Sequence, residues 1–61
     1  MQLQELKEKI IDEIGMLYEN KNHFTKDIDV CQNGWDLVNT LEWYGYDKQG
    51  SLHILFSILI S

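Results

Sequence analysis

Apolar side chains recur at Leu3, Leu6, Ile10, Ile14 and Leu17, spacings of three and four that lay them along one side of a helix, with Ile11 and Tyr18 on its flank. The pattern predicts an amphipathic helix over about residues 2–20. Its opposite side carries Glu5, Glu8, Asp12 and Glu19, which fall close together when each residue turns about 100° around the axis. Gly15 sits in mid-helix beside that polar side, where glycine costs about 1 kcal/mol relative to alanine. The run Asn20 to Lys26 then ends the helix in residues that favour turns and caps, with Phe24 placed to plug one end of a core.

Beyond Lys26 the pattern changes. Asn33-Gly34 stands between runs that alternate apolar and polar, and Asn-Gly tolerates the positive φ that a tight two-residue hairpin turn requires. Pairing Gln32 with Trp35 sets Val30 against Leu37, and a second turn at Asp47-Lys48-Gln49-Gly50 sets Trp43 against Ile54 and Leu41 against Phe56. Both turns agree on one register. The expectation is a three-stranded antiparallel β-meander with strands at about 27–32, 35–46 and 51–60. One face of it reads Ile28, Val30, Trp35, Leu37, Leu41, Trp43, Leu52, Ile54, Phe56, Ile58 and Ile60, broken by Asn39, with Gly45 marking a bend or bulge.

The fold class expected is therefore α+β, a single small domain over residues 1–61 in which the N-terminal amphipathic helix lies on the meander. On that register Trp43→Ala or Leu41→Asp strikes the shared core and unfolds the chain. A second reading exists: Trp35, Val38 and Leu41 also fit a helix of about three turns, and Leu52 to Ile60 is then the last helix of a bundle. Strands are preferred because they give both turn segments a role and because β-branched and aromatic residues are plentiful.

Composition narrows the function more than it reveals it. Sixty-one residues supply a core that is only marginally sufficient, so self-association would help. The single cysteine, Cys31, forms no internal disulfide and reads as a small packed residue in a reducing, cytoplasmic setting. No basic segment followed by an apolar run marks a signal peptide, and Leu52 to Ile60 is about half of what a membrane-spanning helix needs, so no membrane association is expected. Ten carboxylates stand against five lysines, a balance that repels nucleic acid and argues against direct binding of DNA or RNA. The bias toward Asn, Lys, Ile and Tyr is what an AT-rich coding source, such as a low-GC bacterium or its phage, produces.

No catalytic constellation stands out. His53 falls beside Tyr44 on the second face of the sheet, with Glu42 and Tyr46 diagonal to it, but an open sheet face lacks a cleft, an oxyanion donor and a nucleophile. His23 has no partner at metal-ligand spacing, and no phosphate-cradling glycine loop occurs. Neither an enzyme, a metal nor a cofactor is expected. The reading is a small acidic protein-binding module, a phage or mobile-element modulator or inhibitor of a host nucleic-acid-binding protein, with Glu5, Glu8, Asp12 and Glu19 as its partner-binding face. The alternative is a structural homo-oligomer, such as a homodimer, that assembles through the C-terminal edge strand and the second sheet face, using Tyr44, Tyr46, His53, Leu55 and Leu59. Salt separates the two, because screening weakens an acidic contact and spares an apolar one.

Overall fold

The computed structural model describes residues 2–60, and among them no strand occurs. These residues form four α-helices, α1 (Leu3–Ile14), α2 (Lys21–Asp29), α3 (Gly34–Trp43) and α4 (Lys48–Ile60), with a 3-10 turn at Gly15–Leu17. The expected α+β fold with its β-hairpin and meander is thus replaced by an all-helical one; the second reading anticipates α3 and α4, whereas α2 replaces both the turn expected at Asn20 to Lys26 and the strand expected at 27–32.

The segments read as turns each begin with an Asn or Asp that caps a helix, and the residues after it form that helix's first turns. Asn20 Oδ1 accepts the His23 N–H at 3.0 Å, Asn33 Oδ1 accepts the Asp36 N–H at 2.9 Å, and Asp47 Oδ1 accepts the Gly50 N–H at 2.6 Å. In each case an Asn or Asp just before the helix satisfies an N–H of the first turn that has no partner within the helix. Before α3 the Asp36 carboxylate also reaches back past the cap residue, accepting the Gln32 N–H at 3.0 Å, a variant of the capping box. Asn33-Gly34 makes no hairpin because Asn33 is extended, with φ −160° and ψ 177°. The positive φ a hairpin turn demands is found, among the described residues, at Gly45 instead.

Gly45, at φ 104°, ends α3. Its N–H donates to the Glu42 carbonyl and the Tyr46 N–H to the Leu41 carbonyl, each at 3.2 Å, the paired bonds of a Schellman motif. A left-handed residue there lets the chain reverse into α4. The bend expected at Gly45 is real; it closes a helix where a strand bulge was expected.

The N-terminal helix is shorter than its predicted 2–20 range. At Gly15 it tightens into the 3-10 turn, and Tyr18 is extended at φ −105° and ψ 136°. Leu3, Leu6, Ile10 and Ile14 keep the predicted stripe, whereas Leu17 lies beyond it and is exposed.

Each helix packs against its chain neighbours, and α4 returns to close against α1. The core they enclose takes Leu6, Ile10 and Ile14 from α1, Phe24 and Ile28 from α2, Leu37, Val38 and Leu41 from α3, and Leu55 and Ile58 from α4, with Cys31 between α2 and α3. Leu41 and Phe24 are fully buried, as their sequence roles require. Trp43 is not: it is 89% exposed, because on α3 it lies on the side away from Leu37, Val38 and Leu41. The expectation that Trp43→Ala unfolds the chain is overturned with the register that produced it.

One charged side chain enters this interior. Lys7, 7% exposed, donates from Nζ to the carbonyl of Asp29 at 2.8 Å. Its stem packs with the core while its ammonium meets the negative C-terminal end of α2, which ties α1 to α2.

Candidate functional site

α4 differs from the other helices in that its sequence, KQGSLHILFSILI, is apolar nearly all the way round. A helix of that kind is ordinarily buried on every side. Here one stripe, Ser51, Leu55 and Ile58, faces the core, and a second does not. Phe56 is 60% exposed and Ile60 84%, and both fall with Leu52 and Leu59 on one side of the helix by spacings of three and four.

Trp35 extends this second stripe from α3. It lies 64% exposed at the first turn of α3, and with Gly34, Val38, Leu52 and Leu55 it lines a shallow groove of about 210 Å³ between the two helices. The Lys48 ammonium sits 6.0 Å from the Trp35 ring, within cation–π range, at the start of α4. The Asn33 cap and the Asp47 cap fix the first turns of α3 and α4, so both sides of the groove are set by local hydrogen bonds.

Of the residues expected at a self-association edge, Leu59 is the one exposed on this stripe, at 44%. Leu55 is buried in the core and meets the groove only at its floor, and among the described residues there is no strand edge for it to line. His53 is exposed on another side of α4, in a groove shared with Glu13, Ile14, Ile54, Ser57 and Ile58. Tyr46 is half-buried against the core. Tyr44 packs with α2 and with the turn that follows α1, so the expected grouping of His53 with Tyr44 does not form.

Phe56, Ile60 and Trp35 were assigned to the core by the strand register. Once the segment Lys48–Ile60 is wound into a helix it carries two rows, Ser51-Leu55-Ile58 and Leu52-Phe56-Ile60, and a helix of a small bundle has a core for one of them, but no periodicity in the sequence announces that helix.

A second cluster joins chemistry-bearing groups, and its geometry is that of a brace. The Tyr18, Phe24 and Tyr44 rings meet with centroids 4.8 to 4.9 Å apart, stacked or edge-on. The Tyr44 hydroxyl donates to Asp27 Oδ2 at 2.6 Å, and the same oxygen lies 3.4 Å from His23 Nε2. Burial, helped by the Asp27 carboxylate, pushes the Tyr44 phenol up to about 12, and burial with the nearby Tyr46 hydroxyl does the same to Tyr18. Both phenols therefore stay protonated at neutral pH and act as donors, Tyr18 to the Tyr44 carbonyl at 3.4 Å. The cluster pins the end of α3 to α2.

The acidic face is partly reassembled. Glu5, Glu8 and Asp12 are exposed together on α1, but Glu19 follows the 3-10 turn and leaves the helix. Among the described residues no group of three or more His, Cys, Asp or Glu side chains is placed to hold a metal ion. Cys31 is buried, its thiol donating to the Asp27 carbonyl at 3.4 Å with the Thr40 hydroxyl 3.3 Å away. Among the described residues no helix is long and apolar enough to cross a membrane. Comparison of the chain with protein-family models, with curated proteins and with solved structures returns no match.

Proposed function

We propose that this protein is a non-enzymatic protein-binding module whose binding face is the outer stripe of α4, Leu52, Phe56, Leu59 and Ile60, continued by Trp35. The observation that carries the reading is the exposure of Phe56 and Ile60 on one i, i+4 row of α4, with Trp35 exposed at the groove that Leu52 of the same row lines; Met16, Leu17, Val30 and Trp43 are also exposed, but lie off this row on other elements. Contiguous apolar surface of this kind costs solubility, and it persists in proteins that use it for contact. Aromatic side chains at such a site bury large area with little entropy loss on docking.

The acidic side of α1 serves this reading as a solvated surface. Glu5, Glu8 and Asp12 keep the remainder of a chain of net charge −5 soluble while α4 stays apolar. The test is a photoreactive benzoylphenylalanine placed at position 56 and, separately, at the exposed α1 position Gln4. Irradiation in cells is expected to give a discrete protein adduct from position 56 and none from position 4. Adducts from neither, or equally from both, overturn the assignment of the face.

A further inference from the structure

We infer that the occupant of the α4 face is a second copy of this chain, docked antiparallel about a twofold axis at Phe56; the inference rests on the binding face proposed above. The ridge Leu52, Phe56, Ile60 runs along one i, i+4 row of α4 and is symmetrical about its middle residue. A twofold axis there sets Phe56 against Phe56 of the other copy and Leu52 against its Ile60, the self-complementary pattern an isologous interface requires.

Charge favours the same partner. α4 carries Lys48 and His53 and no carboxylate; the ten carboxylates all lie on α1, α2, α3 and the connecting segments. Two copies of a chain of net charge −5 repel each other through most approaches, and the α4 face is where they meet with least repulsion. The antiparallel arrangement also directs Lys48 and the positive N-terminal end of one α4 toward the negative C-terminal end of the other. A basic partner would be drawn instead to Glu5, Glu8 and Asp12, away from this face.

The area is of the right order. Trp35, Phe56, Leu59 and Ile60 leave on the order of 500 Å² of mostly apolar surface open. With a polar rim this approaches the roughly 800 Å² per partner of a standard interface. Burying it also gives a 61-residue chain the extra core that a domain of this size lacks.

The experiment is sedimentation equilibrium of the whole chain and of two variants, Phe56→Glu and Trp43→Glu. Both positions are more than half exposed, and circular dichroism verifies that each variant stays helical. At about 100 μM, well above a micromolar dissociation constant, the wild type and Trp43→Glu are expected at twice the chain mass of 7.2 kDa and Phe56→Glu at the single mass. A wild type at the single mass overturns the second copy. If position 56 then still yields an adduct with a different protein, the binding face stands with a foreign occupant; if it yields none, both readings fall. A Phe56→Glu variant that remains at the doubled mass moves the interface elsewhere and also overturns the inference.

Discussion

Replacing Asn33 and Gly34 by alanine, one at a time, separates a helix start from a hairpin turn by the sign of the effect. In the helical structure Asn33 caps α3 through the 2.9 Å bond from the Asp36 N–H, and alanine removes that acceptor. The loss is about 1 kcal/mol, at the middle of the range for Asn caps, because the freed N–H is near solvent and regains a water. For a domain of this size 1 kcal/mol is about 4 to 8 °C in melting temperature. Gly34 is the first residue of α3, and a Cβ built on it meets no atom within 4 Å. Alanine there adds helix propensity at no steric cost, a gain of up to about 0.5 kcal/mol at this terminal position. A type I′ hairpin turn would require positive φ at Gly34, and alanine would then destabilise. Thermal melts followed by far-ultraviolet circular dichroism are expected to fall for Asn33→Ala and to hold or rise for Gly34→Ala. A drop of several degrees for Gly34→Ala with no effect of Asn33→Ala refutes the capping account.

Three further tests probe other parts of the molecule. Trp43→Ala changes stability by no more than about 0.5 kcal/mol because the side chain is 89% exposed, whereas Leu41→Ala costs about 2 to 5 kcal/mol; urea titrations of the pair check the contrast. Gly15→Ala raises stability by about 0.4 to 1 kcal/mol, since its backbone is right-handed helical and the new methyl meets Ile11 and Phe24 at ordinary contact distance; a lowered melting temperature would show that Phe24 needs the gap. Tyr18 and Tyr44 are raised from 10.0 to about 12 in the fold, so the unfolded chain loses those protons first. Their contribution to stability is complete below pH 10 and fades as pH climbs toward 12, so melting temperature should fall across that window and fall less in a Tyr18→Phe/Tyr44→Phe variant.

The N-terminal helix was legible because Leu3, Leu6, Ile10 and Ile14 satisfy one period and no other. The remainder was not, for two physical reasons. Asn and Asp favour tight turns and helix N-caps through the same property, a short side chain that bonds a nearby backbone N–H, so Asn33-Gly34 and Asp47 announce either. Leu52 to Ile60 has apolar residues on all sides once wound into a helix, which leaves no helical period to detect and allows the strand alternation to fit equally well. The candidate face inherits this ambiguity: read as a strand, Phe56 and Ile60 point inward with Ile58, and read as a helix they part from it. Leu59 lies away from the core in either reading, whereas Leu55 changes sides. Glu5, Glu8 and Asp12 were grouped correctly because they lie within α1, and Glu19 was lost because the helix stops at Gly15.

The exposed stripe of α4 exists only if the C-terminal half of the chain is helical. Backbone and side-chain nuclear magnetic resonance assignments over residues 27–60 test this at each position. Helical Cα shifts are expected through Asp36 to Trp43 and Gln49 to Leu59, with breaks at Asn33 and at Gly45 to Asp47. Extended shifts there, with cross-strand contacts between Val30 and Leu37 and between Trp43 and Ile54, would contradict the fold and remove the proposed face with it.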